Sequence, residues 1–305
     1  MTTPRLSPLS LALLLLLALM WGSSFLFFEI ALRALPPLTV TLHRVGWAVP
    51  VLWLILRASG QRIPRGWGVW GAYLVLGLLN NVIPFTLIGW GQTSIESGLA
   101  AILNGTTAFF GAIVAGLLLA DERLTAGKLA GAAIGLGGVA VIMGPSALTS
   151  FDPRDLGQLA ILGAALSYAF AGVWSRSRLS GQDPIANAFG MVSASAGLSL
   201  ALQLAVLGPP KLSLALETWA VIFALAVLST ALAYVLYFRI LALAGATNLL
   251  MVTLLVPPVA ILLGWLVLDE TLPASVGAGF GLIALGLVVS DGRLLPRRGK
   301  KPASG

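Results

Sequence analysis

The chain of 305 residues has no cysteine and a single histidine, His43. Without cysteine it forms no disulfides and offers no thiolate for catalysis, iron–sulfur clusters or zinc. One histidine also leaves little material for a nucleophile–base pair or a metal centre. The sequence therefore argues against an enzyme, and we expect neither a metal nor a cofactor.

Charged residues are scarce as well, at 10% of the chain, whereas a soluble domain usually carries about a quarter. Hydrophobic residues make up 58%, and apolar runs of about 20 residues recur from end to end. This composition predicts an all-α membrane protein, with the lipid bilayer as its surroundings. The net charge is +7, and most of the basic residues lie between the apolar runs. Basic residues in such loops set the orientation of membrane helices, so we expect no nucleic-acid partner.

The first apolar run, LSLALLLLLALMWGSSF, follows Arg5 and imitates a secretory signal peptide. It continues past Met20 without a convincing small-x-small cleavage site, so we interpret it as a retained first helix. Proline, glycine and charge divide the chain into ten such segments with short connections. The predicted helices 1 to 10 cover residues 9–32, 37–56, 67–92, 97–119, 126–144, 156–175, 184–207, 215–238, 246–268 and 274–290.

The basic residues test this count through the positive-inside rule. If ten helices cross the bilayer and the N-terminus is cytoplasmic, fourteen arginines and lysines fall on the cytoplasmic side and three on the other, while Arg44 lies within a span. Losing or adding one span would destroy this asymmetry, so we predict that both termini are cytoplasmic. The three outer residues are Arg33, Arg154 and Lys211; the cytoplasmic ones are Arg5, Arg57, Arg62, Arg65, Arg123, Lys128, Arg176, Arg178, Arg239, Arg293, Arg297, Arg298, Lys300 and Lys301.

Two stretches mark the chain in the same way: LLLADERLT ends at Thr125 and WLVLDETLP ends at Pro273. A shift of 148 residues superimposes them and predicts a duplication, with repeats at 1–148 and 149–291 and a basic cytoplasmic tail at 292–305. Each repeat holds five helices, an odd number, so the two copies cross the membrane in opposite senses. The same shift pairs Leu124 with Leu272, Gly131 with Gly279, and Gly138 with Gly286.

Inverted repeats are typical of secondary transporters that work by alternating access. Asp121 and Glu122 then lie on the cytoplasmic side, and Asp269 and Glu270 lie on the outer side. These acids precede helices 5 and 10, where they interact favourably with the helix dipoles. A gating role is the alternative, and the sequence leaves both open.

Interrupted helices near the middle of the membrane are where such transporters bind substrate. Asn104 and Gly105 lie in helix 4, Pro257 and Pro258 in helix 9, and Pro84 in helix 3. Proline removes a backbone donor and kinks a helix. We predict hinges or broken helices here; the alternative is membrane proline that is tolerated without motion.

Polar and aromatic side chains within the spans are candidates for a substrate cavity. Adjacent amides in hydrocarbon are costly unless they face a wet cavity or a partner helix. Aromatic stripes, likewise, line a cavity or serve packing and lipid contact. The cavity candidates are Trp21, Ser24, Phe25, Asn80, Asn81, Tyr168, Tyr234 and Tyr237.

Arg44 within helix 2 costs about 3 kcal/mol near the bilayer centre. We expect it to lean toward the outer interface. The four-residue spacing of Gly127, Gly131 and Gly135, together with Gly277 and Gly281, predicts close backbone approach between helices. Packing within one chain, hence a monomer, is favoured over a homodimer seam.

Several of these features together resemble the EamA family of the drug/metabolite transporter superfamily. They are LMWGSSF in helix 1, Arg44, the LADERLT and LDETL endings, and the glycine-rich helices that follow. The resemblance implies ten helices, a central cavity and a bacterial inner-membrane location. Within the family the chain looks most like YddG-type exporters, which implies aromatic amino acids as substrates. In the second repeat, Leu166-Ser167-Tyr168-Ala169 replaces Met20-Trp21-Gly22-Ser23 of the first.

The function expected from the sequence is export of small organic solutes, above all aromatic or hydrophobic amino acids. Another metabolite or drug is the nearest alternative, and an intramembrane enzyme or a non-transporting subunit are the alternatives of other classes. No carboxylate lies where a proton-coupling site is expected. Facilitated transport and antiport therefore both stay open.

Overall fold

The computed structural model describes residues 8–63, 65–118, 127, 129–131, 133–138, 141, 153–179, 181–237, 239–240, 252–269 and 274–290. These residues form helices, and no strand occurs among them. The helices are α1 (Pro8–Leu32), α2 (Pro37–Ala58), α3 (Trp67–Gly91), α4 (Ser97–Leu118), α5 (Leu129–Gly138), α6 (Pro153–Leu179), α7 (Pro184–Val206), α8 (Leu216–Tyr237), α9 (Val252–Leu268) and α10 (Ala274–Ser290).

Seven of these helices are long and apolar enough to cross a bilayer: α1 to α4 and α6 to α8. Shorter apolar helices lie in α5, in α9 and in α10. The predicted all-helical membrane protein is therefore confirmed within the described residues. The count of ten spans, the repeats and the side of each terminus stay predictions.

Several helix ends follow directly from local chemistry. Pro184 opens α7, and the Asp183 side chain caps it by accepting hydrogen bonds from the next two free backbone N–H groups at 2.9 and 3.0 Å. The chain leaves α2 through Gly60 and α7 through Gly208, with φ of 71° and 76°. Glycine adopts this left-handed conformation without a steric penalty, so each helix ends there.

Helix α6 is longer than the sequence predicted, since it spans Pro153–Leu179 rather than 156–175. Proline suits the first turn of a helix because its fixed φ is already helical. At the other end, Arg176 and Arg178 occupy the last turn, where cations interact favourably with the helix dipole. The charged turn that the sequence predicts as the end of the span therefore continues the helix.

Three long helices are not regular along their length. In α3 a π-helical segment, Leu78–Val82, separates two α-helical parts, and α8 contains a longer one, Ala224–Leu232. α4 is interrupted between Ser97–Asn104 and Thr107–Leu118. Such irregular backbone within membrane helices is tolerated where protein covers it.

The helices pack in pairs from different halves of the chain. α1 lies against α9, α4 against α6, α2 against α7 and α8, and α3 against α6 and α7. Two buried apolar clusters result: one surrounds Leu17, Ile102 and Ala164, and the other surrounds Phe28, Leu52 and Val192.

The shift of 148 residues found in the sequence also relates backbone features. Moved forward by 148 residues, the π-helical segment of α3 becomes 226–230, which lies inside that of α8. Gly60 moves onto Gly208, and both have positive φ. Likewise α2 becomes 185–206, within one residue of α7. One register therefore relates turns, helix limits and helix irregularities of the two halves.

The glycines of α5 and α10 bring these two helices close together. A Cβ added to Gly138 would lie 2.7 Å from the carbonyl oxygen of Gly279, and one added to Gly286 would lie 2.5 Å from that of Gly131. The two helices thus approach closely at Gly138 and Gly286, whereas the choice between a monomer and a homodimer stays a prediction. Gly277 and Gly281 are exceptions, because a Cβ at either position would meet no atom within 4 Å.

Candidate functional site

A cluster of hydrogen-bonded polar side chains joins α3, α7 and α8. The Asn80 amide donates to the Tyr234 hydroxyl at 2.8 Å, and that hydroxyl donates to the Asn81 carbonyl oxygen at 3.1 Å. The Asn81 amide donates to the Ser195 hydroxyl at 2.8 Å. Asn81 is fully buried, while Asn80 is partly exposed. Both amides therefore contact neighbouring helices, which is the packing alternative given by the sequence. The Asn80 side chain also remains partly exposed.

The π-helical segments explain how this polarity is accommodated. A π-helix leaves backbone carbonyls without their usual partners, and hydroxyls of other residues take them up. The Ser167 hydroxyl donates to the Leu79 carbonyl at 2.6 Å, and the Thr230 hydroxyl donates to the Leu225 carbonyl at 2.9 Å. Pro84, just after the π segment of α3, has no N–H to donate, which contributes to the irregularity.

Arg44 extends this cluster to α2. Its Nε donates to the Thr230 hydroxyl at 3.0 Å and its Nη2 to the Ser229 carbonyl at 3.3 Å. The guanidinium lies 3.7 Å from the centroid of the Phe85 ring and 5.4 Å from that of Phe28. The expectation that Arg44 leans toward an interface is wrong, because the side chain is only 6% exposed and turns inward to α8.

Tyr168 of α6 is the residue that contacts both apolar clusters. It is partly buried and, like Tyr234, lies within electrostatic reach of the Arg44 guanidinium. The structure therefore brings Asn80, Asn81, Tyr168 and Tyr234 of the predicted cavity into one neighbourhood. The sequence did not predict that Arg44 lies in this neighbourhood. The only signal was that a charged residue occurs within a predicted span.

The aromatic candidates form a second group along α1 and α8. The rings of Trp21 and Tyr237 lie 6.0 Å apart and are tilted by 41°. The Ser24 hydroxyl donates to the Trp21 carbonyl at 2.7 Å, which satisfies it within its own helix. Phe25 is buried in the apolar core, and its carbonyl accepts a 2.9 Å hydrogen bond from the Gln92 side chain. Trp21 and Tyr237 thus remain candidate contacts for a solute, whereas Ser24 and Phe25 serve the helix and the core.

The predicted hinge residues of α4 and α9 meet each other. Asn104 ends the first part of α4, and its side-chain oxygen is buried without a partner among the described residues. A Cβ on Gly105 would lie 3.7 Å from Pro257 Cγ and 3.0 Å from the Ile102 carbonyl oxygen. Pro257 is buried, whereas its neighbour Pro258 is exposed. The break in α4 therefore rests against one proline of α9.

Of the four acidic residues in the LADERLT and LDETL stretches, only Asp269 belongs to the described residues. It directly follows α9, is exposed and has a φ of 55°, a conformation that aspartate tolerates better than most residues. Asp121, Glu122 and Glu270 lie outside the described residues. The choice between helix capping and gating therefore stays a prediction.

Two open cavities lie between α3 and α6. The larger, about 470 Å³, is lined by Gly68, Val75, Trp174 and Arg178 among others, and the smaller, about 280 Å³, reaches Leu79. None of the predicted cavity residues lines either space. The smaller cavity nevertheless ends beside the π segment, one residue before Asn80.

Comparison with known protein families identifies the family to which this chain belongs. The model of the EamA-like transporter family matches residues 8–144 and again residues 155–290. The chain belongs to the EamA-like transporter family. The resemblance predicted from the sequence is confirmed at the level of the family.

Three curated relatives carry transporter names. The chain is 25% identical to the uncharacterized transporter YoaV of Bacillus subtilis, over 89% of this chain and 93% of that protein. It is 29% identical to the S-adenosylmethionine/S-adenosylhomocysteine transporter of Chlamydia trachomatis, over 91% of this chain and 88% of that one. It is 28% identical to a probable amino-acid metabolite efflux pump of Escherichia coli, over 55% of this chain and 54% of the pump.

A solved crystal structure shares the fold of this chain. The match has a TM-score of 0.65 and 21% identity, and it covers 92% of this chain and 96% of the other. At this identity the likeness bears on the fold alone.

Proposed function

We propose that this EamA-family member exports small organic solutes, first of all aromatic or other hydrophobic amino acids, across a bacterial inner membrane. It has ten spans in two inverted five-helix repeats, with both termini in the cytoplasm. The repeats exchange conformations, so that a central site opens to one side and then to the other.

The observation that carries this proposal is the composition of the interior site. Hydrogen-bonding groups from Asn80, Tyr234 and Arg44 lie together, and the aromatic pair of Trp21 and Tyr237 lies further along α1 and α8. Small-molecule sites typically combine apolar and aromatic walls with a few such polar groups. An amino acid with a hydrophobic side chain has the matching division into a polar and an apolar end.

The position of the site supports alternating access. Its residues come from α1, α2 and α3 of the first half and from α6 and α8 of the second half. A movement of one half against the other therefore changes the site itself. The two matches of the family model, one to each half, and the common register of 148 residues support the duplication.

The cavities between α3 and α6 support an entry route. In the proposed topology, Arg178 and the start of α3 lie on the cytoplasmic side. The smaller cavity runs from Arg178 to Leu79, next to the polar cluster. A solute leaving the cytoplasm would reach the site from this end.

A second candidate is another metabolite, and the relative that transports S-adenosylmethionine favours it because the match covers 91% of this chain. S-adenosylmethionine is itself an amino acid derivative that carries an aromatic base. The two candidates therefore make similar chemical demands on the site.

Counterflow with purified protein in liposomes separates these candidates. Liposomes preloaded with one unlabelled solute are supplied with the same solute in labelled form, for each of the twenty amino acids and for S-adenosylmethionine. We expect accumulation above protein-free liposomes for tryptophan, phenylalanine or tyrosine. Accumulation of S-adenosylmethionine alone favours the second candidate, and no accumulation of any of these solutes contradicts the proposal.

A further inference from the structure

We propose that Arg44 is the anchor for the carboxylate group of the transported solute. This inference rests on the proposed function, since it assigns a chemical class to the solute of the same site. It makes Arg44 a specificity-determining residue.

The charge of Arg44 lies buried in the protein. Arg44 is 6% exposed, and its partners within the described part of the chain are a hydroxyl, a carbonyl and aromatic rings, none of them anionic. A buried cation is costly unless an anion neutralises it, and neutral acceptors do this only in part. The guanidinium thus lies in an apolar interior with its charge uncompensated by these residues.

The Arg44 guanidinium has more hydrogen-bond donors than its two bonds to α8 use. A guanidinium has five N–H groups in a planar fork, and the two bonds to Thr230 and Ser229 use two of them. Stacking on Phe85 at 3.7 Å fixes the plane of the fork. The remaining donors suit the two oxygens of a carboxylate, which arginine binds in a bidentate manner.

An independent observation points to the same place. The Ser229 hydroxyl is buried, at 1% exposure, and has no hydrogen-bond partner among the described residues. It belongs to the same residue whose carbonyl accepts from Arg44. Buried hydroxyls are ordinarily satisfied, so we take this unpaired hydroxyl, on a residue that binds Arg44 through its carbonyl, as a second donor for the same carboxylate. One carboxylate would satisfy both groups.

The geometry also orients the rest of the solute. Phe28 and Trp21 are seven residues apart on α1, and Thr230 and Tyr237 are seven residues apart on α8. Arg44 contacts the first residue of each pair, and the Trp21 and Tyr237 rings contact each other. At 1.5 Å per helical residue, the aromatic pair is about 10 Å from Arg44. A solute with its carboxylate on Arg44 would extend its apolar side chain toward that pair.

The test compares an acid with its amide on full-length protein in lipid nanodiscs. Binding of labelled L-tryptophan is competed with unlabelled L-tryptophan and with L-tryptophanamide, which lacks the negative charge. We expect the wild-type protein to prefer the acid about tenfold or more, since hydrogen bonds between charged groups are the strong ones. Arg44→Gln should lose about tenfold in affinity for the acid and keep its affinity for the amide.

Ser229→Ala is the variant that tests the inference if Arg44→Gln fails to fold. The Ser229 hydroxyl has no hydrogen-bond partner to lose within the described ranges, so the variant should unfold at the wild-type temperature. We expect about fivefold weaker binding of L-tryptophan and unchanged binding of the amide.

Two results overturn the inference while the proposed function stands: wild-type protein that binds acid and amide equally, or variants that lose both to the same extent. If wild-type protein binds no tryptophan, the amino-acid candidate fails. The competition experiment is then repeated with S-adenosylmethionine and its decarboxylated form, which differ in the same carboxylate group. Preference for the carboxylate form then supports the role of Arg44, and equal binding overturns it. Binding of none of these solutes overturns both proposals.

Discussion

Single residues in this interior have sharply different surroundings although the sequence makes them look alike. Asn81 is fully buried and bridges to Ser195, whereas Asn80 is partly exposed and bonds Tyr234. Trp67 is 96% exposed at the start of α3, whereas Trp21 is partly buried against Tyr237. These differences decide which side chain is able to meet a solute.

Trp21→Ala should lower the rate of tryptophan counterflow about tenfold without a comparable change in melting temperature. The substitution removes an aromatic wall from a partly buried position, and aromatic contacts dominate small-molecule sites. Transport in liposomes and thermal unfolding of the same preparation provide the two measurements. Trp67→Ala is the matched control and should transport like wild type. Wild-type kinetics in Trp21→Ala would remove this residue from the site.

For single residues, the sequence indicated which side chains suit a binding site better than it indicated which residues they contact. The polar and aromatic candidates could be chosen because such side chains are rare within membrane spans. Arg44 was visible for the same reason, but Thr230 is 186 residues away in sequence and nothing local indicates their contact. Ser195 carried no signal, since a serine within a helix of small residues is common.

Whole elements in this fold combine regular helix with irregular segments at defined places. Proline and glycine mark the interruptions of α3 and α4, because both residues alter the backbone itself. In α9, by contrast, the helix continues unbroken through Pro257 and Pro258, so the alternative of proline tolerated without a break applies there. The π-helical segment of α8 has no proline within Ala224–Leu232, so its sequence reads as an ordinary apolar helix. Within this segment the Thr230 hydroxyl donates to the Leu225 carbonyl of the same helix and accepts from Arg44 of α2, and the second of these contacts is not visible in the sequence.

Pro257→Ala should slow transport several-fold, whereas Pro258→Ala should not. Both changes restore a backbone N–H to α9, but only Pro257 is buried and rests against the break in α4 at Gly105. If α4 and α9 move together, loss of that contact disturbs the movement. Counterflow rates at saturating solute measure the effect, with equal protein per liposome. Equal rates in the two variants would count against a hinge at Pro257.

Gly286→Ala should destabilise the protein by about 1–3 kcal/mol, the usual cost of overpacking. The added Cβ would lie 2.5 Å from the Gly131 carbonyl and force α5 and α10 apart. Gly281→Ala on the same helix meets no atom within 4 Å and should leave stability unchanged or slightly improved. Unfolding of the two variants in the same detergent makes the comparison. A melting temperature for Gly286→Ala equal to that of Gly281→Ala would contradict the close contact.

For the molecule as a whole, the account depends on duplication and inversion. A register of 148 residues relates the LADERLT and LDETL stretches, the glycines that end α2 and α7, and the π-helical segments of α3 and α8. The inverted organisation stays a prediction, which the sequence supports because repeats and charge asymmetry are properties of the chain itself. The sequence could not predict which helices pack together across the halves, since that depends on three-dimensional contacts.

The most direct test of the central claim is the side of the membrane on which the two acidic marks lie. The chain has no cysteine, so each single substitution introduces the only reactive thiol. Cells that express Glu122→Cys or Glu270→Cys are treated with a membrane-impermeant thiol reagent, before and after permeabilisation. Ser59→Cys and Leu212→Cys, both at exposed positions, serve as cytoplasmic and outer references.

Inverted repeats predict that Glu270→Cys reacts in intact cells, together with Leu212→Cys. Glu122→Cys should react only after permeabilisation, together with Ser59→Cys. Reaction of positions 122 and 270 from the same compartment would contradict the inverted duplication and the alternating-access mechanism built on it.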